Sequence, residues 1–362
     1  MEIIKVGLKE NSHNIYIGYN ILKNIPSYIK ENNLGNLGLI ITSRKVYSLY
    51  RDLIKRTFKA NSYKIICVPN GEEAKSKKWL FEVIAKIIKL DTWNRKVFVI
   101  CLGGGTVGDL GGFVASIYKR GIPYIQVPTT LLSQIDASIG GKTAIDLKEA
   151  KNILGTFYQP KAIFIDPSFI RTLPKRKFKE GMAEAIKYGV IKKRKFFYFL
   201  RDNYKKITAL SPDYLLKLIY LCARQKAHIV KKDEKEKKGI RTILNFGHTF
   251  AHAVETFTRY KKLSHGEAVA LGMVYAAQLS LLLGKCARQD LEQIKNIIKL
   301  YGLPSKIAFD HTTLCRAMSY DKKFISGRIR MVLLRKIGEV EVVEGISFKI
   351  IRKSMEKFAA VH

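Results

Sequence analysis

The sequence is poor in acidic residues. It has 30 Asp and Glu against 65 Lys and Arg in 362 residues, which gives a net charge of +35. A charge of this size attracts anions, so a nucleic acid or an anionic small substrate is one explanation for it. A solvated, lysine-rich surface is another, because the lysines run along the whole chain and no basic motif interleaved with aromatic residues occurs. We therefore predict no nucleic-acid partner.

Cysteine is sparse as well. The five cysteines are odd in number, far apart and form no C-x-x-C pair. This pattern disfavours a disulfide framework or a cysteine zinc knuckle, and it predicts reduced thiols in a cytoplasmic protein.

Long apolar runs are also missing. The first five residues lack the apolar core of a signal peptide. The most apolar later stretch, residues 268–284, is short for a membrane span and contains Gln278. A buried helix is the better interpretation of that stretch, and we predict no membrane partner.

The first half of the chain alternates short β-rich runs with amphipathic segments. Residues 46–58 and 74–90 have helical patterns. The strand-like runs are residues 3–6, 14–17, 37–42, 64–68, 97–102, 124–127 and 162–165. Such alternation predicts an α/β fold, with an N-terminal Rossmann-like, doubly wound parallel sheet in a domain of residues 1–168.

The second half changes character. Helical patterns occupy residues 179–191, 212–230, 243–258, 267–283 and 289–300, and one possible hairpin pairs residues 328–334 with 340–343. A mostly α-helical C-terminal domain over residues 169–362 is therefore predicted. The boundary lies where a predicted strand ends and Pro167 and Pro174 interrupt regular secondary structure.

Glycine is concentrated in one turn. Six of the ten residues 103–112 are glycine, and they follow a predicted strand in a G-x-G-x-x-G pattern. Such a turn lets the backbone approach a pyrophosphate at a helix N-terminus. The acid usual about 20 residues later is missing, since the chain there reads Gln126-Val127-Pro128-Thr129. A dinucleotide site is the favoured interpretation, and a tight structural turn is the alternative.

Three histidines and one glutamate suggest a metal site. His248 and His252 are four apart and share a helix face, His265 opens another helical segment, and Glu184 lies in a third. A catalytic zinc site uses three such ligands and keeps one position open, which Glu184, His248 and His265 would satisfy. Spacing alone leaves open that these histidines are hydrogen-bonded core residues.

Together these segments resemble the 3-dehydroquinate synthase family. The resemblance rests, in order along the chain, on residues 103–109, 128–143 and 151–152, Glu184 with Lys187, and residues 244–249, 265–269 and 321–323. The family converts 3-deoxy-D-arabino-heptulosonate 7-phosphate (DAHP), a small anionic sugar acid phosphate, to 3-dehydroquinate and phosphate. The resemblance implies transient oxidation by NAD, phosphate elimination, reduction and intramolecular aldol closure.

The resemblance also implies a divalent metal, Zn²⁺ or Co²⁺, and a cytoplasmic homodimer in the shikimate pathway. Two related enzymes are alternatives. One is a sibling sugar phosphate cyclase of the deoxy-scyllo-inosose or valiolone type, against which residues 140–143 argue. The other is an NAD- and metal-dependent polyol dehydrogenase.

Carried over by motif, the resemblance assigns a role to each site residue. Metal ligands would be Glu184, His248 and His265. Cofactor contacts would come from Glu72, Lys75, Gly104, Gly105, Asp109, Thr129, Thr130, Lys142 and Lys151. Substrate and catalytic contacts would come from Arg120, Asp136, Lys142, Asn152, Lys187, Lys226, Arg241, Asn245, His252 and Lys323. Among these, His252 is the candidate for proton transfer, with phosphate binding as the alternative.

The chain departs from the family pattern in three places. Thr42-Ser43-Arg44 stands where relatives usually show an Asp near the adenosine ribose, so NADP is worth testing beside NAD. Ala150 replaces a usual Gly, and residues 233–241 are one residue longer than usual. None of these changes touches the predicted metal ligands.

Overall fold

The computed structural model describes residues 1–258, 263–306 and 330–359. The chain forms two compact units. Unit 1 comprises Met1–Leu173 and Leu215–Lys235, and unit 2 comprises Pro174–Tyr214 and the described residues from Glu236 onward. The division into domains at residue 168 stays a prediction.

Unit 1 is built on a seven-stranded sheet. The strands of this sheet are β1 (Glu2–Val6), β2 (His13–Ile17), β3 (Leu37–Ser43), β4 (Tyr63–Val68), β5 (Val97–Gly103), β6 (Tyr124–Pro128) and β9 (Ala162–Ile165). Two further strands, β7 (Lys142–Ile145) and β8 (Leu154–Phe157), form a separate hairpin. The sheet order is β1-β2-β9-β6-β5-β3-β4, and every pair is parallel except β1 with β2. The predicted doubly wound, mostly parallel sheet is confirmed.

Helices cover both faces of this sheet. They are α1 (Ile25–Glu31), α2 (Arg44–Thr57), α3 (Lys77–Leu90) and α4 (Gly105–Ile117), and α8 (Pro212–Lys232) also belongs largely to unit 1. Every residue of β3 and β5 is buried, as expected for strands covered on both faces. Side chains alternate along β3, so Leu39 and Ile41 pack with α3 and α4, while Ile40 packs with α1 and α2.

Unit 2 is mostly helical. Its elements are α5 (Lys175–Lys192), α6 (Arg194–Asp202), α7 (Tyr204–Thr208), α9 (His248–Phe257), α10 (His265–Leu282), α11 (Arg288–Leu300), α12 (Phe348–Ala359) and a hairpin of β10 (Met331–Lys336) with β11 (Glu339–Val343). Residues 180–191 of α5 are all buried, and α10 is buried on almost every side. Helices that are buried on nearly every side lie at the centre of a fold, so α5 and α10 form the core of this unit.

One predicted helix is wrong. The pattern over residues 243–258 predicted a single helix, but a 3-10 helix of Ile240–Asn245 precedes α9, and Gly247 separates them. Gly247 has φ +81°, and a Cβ there would lie 2.7 Å from the backbone nitrogen of Met273. This left-handed residue ends the first segment and places His248 at the start of a new helix.

Within the three described stretches, no helix is long and apolar enough to cross a membrane. The predicted buried helix at residues 268–284 coincides with most of α10.

Candidate metal centre and cofactor turn

Three helices of unit 2 bring Glu184, His248 and His265 together. Glu184 lies in the buried middle of α5, whereas His248 and His265 are the first residues of α9 and α10. His248 Nε2 lies 3.4 Å and His265 Nε2 lies 3.5 Å from Glu184 Oε1. One ligand atom from each residue lies within 4.8 Å of the other two. The predicted ligands therefore converge on one point.

The spacing of these atoms fits a tetrahedral ion. Two ligand atoms that each lie about 2.1 Å from a tetrahedral metal stand about 3.4 Å apart. The distances from Glu184 Oε1 to both histidine nitrogens have this value. Both carboxylate oxygens of Glu184 are buried: Oε2 pairs with Lys187, and Oε1 faces the two histidine nitrogens, as a ligand of a shared cation would. Glutamate and histidine are ordinary zinc and cobalt ligands, so the donor set fits as well.

Hydrogen bonds on the far side of each imidazole fix its orientation. His248 Nδ1 lies 3.3 Å from the carbonyl oxygen of Phe246, and His265 Nδ1 lies 3.1 Å from Glu255 Oε1. Carbonyl and carboxylate oxygens can only accept, so both Nδ1 atoms must carry a proton. The Nε2 atoms are therefore the ones turned toward Glu184.

Neighbouring side chains keep the Glu184 carboxylate ionised. Burial alone would raise the pKa of Glu184, but Lys187 and His248 lower it well below the usual value. Lys187 is buried on the same helix and forms an ion pair with Glu184 Oε2. This pair leaves Oε1 facing the two histidines, as a monodentate ligand would be arranged. Lys187 was predicted as a substrate residue, and that role stays a prediction.

Close helix contacts bring these ligands together. A Cβ on Gly266, next to His265, would lie 2.4 Å from the Cα of Glu180 on α5. A Cβ on Gly272 would lie 2.0 Å from the carbonyl oxygen of Gly247, just before α9. Both glycines therefore permit backbone contact between α10 and its neighbours. At the start of α10, Ser264 and Glu267 form a capping box that fixes its first turn.

Without a bound metal, the ring of His265 should carry a proton on Nε2 as well as on Nδ1. Burial opposes a charge on His265, but hydrogen bonds with Glu184 and Glu255 raise its pKa to about 10. Burial and Lys187 lower the pKa of His248, which is therefore neutral at pH 7. A metal needs the Nε2 lone pair, so Zn²⁺ must displace the His265 proton.

We expect about one proton to be released per Zn²⁺ bound at pH 7, and metal affinity to fall about tenfold for each pH unit below that. A pH indicator in weakly buffered solution measures the release. Release of no proton, or of two, would contradict this charge state.

In unit 1 the glycine-rich turn joins β5 to α4. Gly104 precedes the helix and Gly105 is its first residue, and no described side chain caps this end. Val107 and Gly108 N–H donate to the Gly104 carbonyl, so an anion would bind at the N–H groups of Gly105 and Thr106 that precede them. Further on, a Cβ on Gly108 would lie 2.8 Å from Gln126 Oε1, so this glycine serves helix-on-strand packing. The turn thus has features of both interpretations offered by the sequence.

Four more of the predicted site residues cluster beside α4. Lys75 is buried, and its Nζ donates to Asp109 Oδ2 at 2.7 Å and to Asn152 Oδ1. Asp146 lies 4.0 Å from the same nitrogen and accepts from the Asn152 backbone N–H at 2.8 Å. Burial opposes the charge on Lys75, but Asp109 and the other carboxylates raise its pKa. Lys151 is exposed in the same loop as Asn152.

The loop also explains one departure from the family pattern. Asn152 has φ +55°, whereas Ala150 lies outside the left-handed region. Alanine therefore fits at position 150 without backbone strain.

Asp136 and Lys226 meet in unit 1, although 90 residues separate them. Asp136 lies in a π-helical turn, Ser133–Ala137, a geometry frequent at functional sites. Lys226 Nζ donates to the Asp136 carbonyl at 2.6 Å and pairs with its carboxylate at 2.7 Å.

Thr129 N–H donates to the Gly103 carbonyl at 2.9 Å, and Thr130 shares a hydrogen bond with Ser133.

Arg241 in unit 2 is buried, and its Nε lies 3.1 Å from Glu236 Oε1. Glu236 and Gly239 both have positive φ, so left-handed turns accommodate the longer segment before Arg241. Asn245 is exposed at the end of the same 3-10 helix. His252 is exposed on α9, with its ring 5.6 Å from that of His248, and it lies outside the triad.

The remaining predicted residues lie in unit 1, where Glu72 interacts with Asp146 and Lys75 of the same cluster, or outside the described part of the chain. Lys142 and Arg120 are exposed, and Arg120 has φ +63° in a turn after α4. Glu72 lies on the 3-10 helix that carries Lys75. Lys323 lies outside the described residues. The roles of all these residues as cofactor or substrate contacts stay predictions.

Sequence reasoning missed three acidic residues that hold site residues in place, namely Asp146, Glu236 and Glu255. Glu255 had a readable signal, because it follows His248 by seven residues and so shares its helix face. Asp146 and Glu236 lie in irregular segments whose geometry no periodicity reveals.

Comparisons with known proteins agree with this architecture. Residues 65–180 match the family model described as 3-dehydroquinate synthase N-terminal, and residues 181–324 match the one described as 3-dehydroquinate synthase C-terminal. The 3-dehydroquinate synthase of Thermodesulfovibrio yellowstonii is 40% identical over 361 residues, covering 99% of this chain and 100% of the relative.

Two solved structures show the same fold. A 2-deoxy-scyllo-inosose synthase complexed with carbaglucose-6-phosphate, NAD⁺ and Co²⁺ has a TM-score of 0.88 and 25% identity, covering 99% of this chain and 100% of that chain. ValA, a 2-epi-5-epi-valiolone synthase from Streptomyces hygroscopicus subsp. jinggangensis 5008 with NAD⁺ and Zn²⁺ bound, has a TM-score of 0.85 and 26% identity, covering 97% and 98%.

The fold and the triad thus define a sugar phosphate cyclase architecture. Within that class, the family models and the full-length relative show that the chain belongs to the 3-dehydroquinate synthase family. The family and the fold predicted from the sequence are confirmed.

Proposed function

We propose that this chain is a 3-dehydroquinate synthase, which converts DAHP to 3-dehydroquinate and phosphate with NAD and a divalent metal. The observation that carries the proposal is the spacing of Glu184, His248 and His265, which fits a tetrahedral ion, in a member of this family. The proposal extends to a cytoplasmic homodimer that acts in the shikimate pathway.

The triad would hold Zn²⁺ or Co²⁺, and the turn at Gly104 and Gly105 would hold the pyrophosphate of NAD. When bound, the metal supplies Lewis acidity toward substrate hydroxyls and NAD supplies a hydride acceptor. The protein's own part is to bind and orient an anionic substrate. Lys187, Lys226 and Arg241 are buried cations, each beside a carboxylate of its own unit, and the family resemblance would assign them to the substrate's carboxylate and phosphate.

Proton transfer in this proposal falls to His252 or to the substrate. An exposed imidazole whose ring lies 5.6 Å from that of His248 is suited to accept or donate a proton at a substrate hydroxyl near the triad. The departing phosphate can itself carry away the proton lost during elimination, which would leave His252 a phosphate-binding role. The Asp136–Lys226 pair holds a carboxylate and an ammonium ready for substrate hydroxyls and phosphate.

The cofactor proposal includes a choice between NAD and NADP. Ser43 ends β3 and caps α2, accepting a hydrogen bond from the Val46 N–H at 3.2 Å, and Arg44 begins the helix. No carboxylate follows β3 directly in the sequence to bind a ribose diol. Both cofactors therefore belong in the functional assay.

Phosphate release from DAHP tests the proposal. We expect release that stops with a chelator, resumes with added Zn²⁺ or Co²⁺, requires NAD and produces no net NADH. Glucose 6-phosphate, which lacks the carboxylate, serves as the parallel substrate. Turnover of glucose 6-phosphate with none of DAHP would favour a sibling cyclase, and net NADH with glycerol would favour a polyol dehydrogenase. Either result would overturn the proposed function.

A further inference from the structure

Glu255 lies in unit 2, on the same face of α9 as His248, and it is buried. Its Oε1 lies 3.1 Å from Nδ1 of His265, on the side of that ring away from Glu184. His265 therefore stands between two carboxylates, one at each ring nitrogen. His248 differs, because its Nδ1 faces only the neutral carbonyl of Phe246.

We infer that Glu255 is a positioning residue for the metal, acting through His265. A carboxylate behind an imidazole fixes the tautomer that leaves Nε2 free, and it makes that nitrogen a stronger donor to a cation. The backbone carbonyl behind His248 fixes the tautomer in the same way but adds no charge. The strength of the bond from His265 to a metal therefore depends on a side chain that a substitution can remove, whereas that of His248 does not. The inference rests on the proposed metal centre at the triad.

The position of His265 makes this support necessary. Its side chain is 36% exposed, against 13% for His248 and 1% for Glu184, so packing restrains the His265 ring least. His265 is also the first residue of α10, where the backbone is anchored by the capping box and the ring is not. The hydrogen bond that His265 Nδ1 donates to Glu255 joins the ring to α9 and supplies the missing restraint.

Two substitutions distinguish the effect of the negative charge of Glu255 from that of its hydrogen bond to His265. Glu255→Ala removes both the hydrogen bond and the charge, whereas Glu255→Gln keeps an acceptor oxygen of the same reach. Loss of such an outer contact weakens metal binding about 10- to 100-fold. We expect Glu255→Ala to raise the Kd for Zn²⁺ by that factor and Glu255→Gln to raise it less, as measured by competition with a fluorescent chelator.

Glu180→Gln is the matched control. Glu180 is a glutamate of similar burial, but it lies on α5 and accepts from Lys177 Nζ at 2.8 and 3.0 Å rather than from a metal ligand. It should leave the Kd for Zn²⁺ unchanged. Thermal unfolding of the metal-free proteins shows whether each variant folds, and Glu255→Gln carries the test if the alanine variant does not.

The outcomes distinguish this inference from the proposed function. Weaker binding in the Glu255 variants with unchanged binding in Glu180→Gln supports the positioning role. Equal Kd values in wild type and both Glu255 variants would overturn it while leaving the metal centre intact. A wild-type protein that binds no Zn²⁺ through His248 and His265 would instead overturn the proposed function.

Discussion

Replacing His248 by alanine should abolish both bound metal and turnover while the protein remains folded. The change removes one of three ligands whose atoms lie within 4.8 Å of one another, and no other described His, Cys, Asp or Glu completes this group. Loss of a Lewis acid removes several kcal/mol of transition-state stabilisation, which corresponds to at least about a thousandfold in rate. Metal content after dialysis and phosphate release from DAHP measure the two effects, and NAD binding by calorimetry should be unchanged.

His252→Ala is the matched control for this prediction. His252 lies one helical turn after His248 and is exposed, and it does not belong to the triad. We expect this variant to keep its metal while turnover falls, by about 10²- to 10⁴-fold if His252 transfers a proton. Stoichiometric metal and normal turnover in His248→Ala, or loss of metal in His252→Ala, would contradict the assignment of ligands.

Much of the fold could be read from periodicity. Strands such as β3 and β5 are continuous apolar runs because helices cover both faces, so their positions were visible without the structure. The hairpin of β7 and β8 was missed, since all four residues of β8 are exposed and show no alternation. The break at Gly247 was missed because the helical pattern continues across it, and only contact with α10 demands the left-handed residue.

The candidate site was less predictable from residue patterns than the fold was. The spacing of Glu184, His248 and His265 did not specify a metal, and the family resemblance supplied their role. Their convergence depends on how α5, α9 and α10 pack, which is a tertiary property. The same holds for Lys226, because α8 follows helices of unit 2 in the chain yet brings its lysine to Asp136 in unit 1.

The most sensitive point of that packing is Gly266. In an exposed helix, Gly→Ala stabilises by about 1 kcal/mol through helix propensity. At Gly266 the new Cβ would lie 2.4 Å from Glu180 Cα and 2.8 Å from its carbonyl oxygen. These are backbone atoms of a buried helix, which cannot rotate away as a side chain can. Overpacking of this kind costs about 1–3 kcal/mol, so we expect the steric term to exceed the propensity term.

The effect on the metal centre should be larger than the effect on stability. Glu180 lies one turn before Glu184 on α5, and Gly266 follows His265 on α10. Any shift that relieves the clash therefore moves His265 away from Glu184, and a misplacement of about 1 Å is far larger than the roughly 0.2 Å tolerance of a metal–ligand distance. Loss of a residue that merely supports a ligand already weakens metal binding about 10- to 100-fold. Chelator competition should show Gly266→Ala binding Zn²⁺ at least about a hundredfold more weakly than wild type.

Gly7→Ala provides the control, because its Cβ would meet Lys231 Cε at 3.5 Å, an ordinary contact with a flexible side chain. It should leave the Kd for Zn²⁺ and the unfolding temperature close to those of wild type. If Gly266→Ala binds Zn²⁺ as wild type does and unfolds at a higher temperature, helix propensity outweighs the clash. Backbone contact between α5 and α10 would then not be what sets the distance from Glu184 to His265.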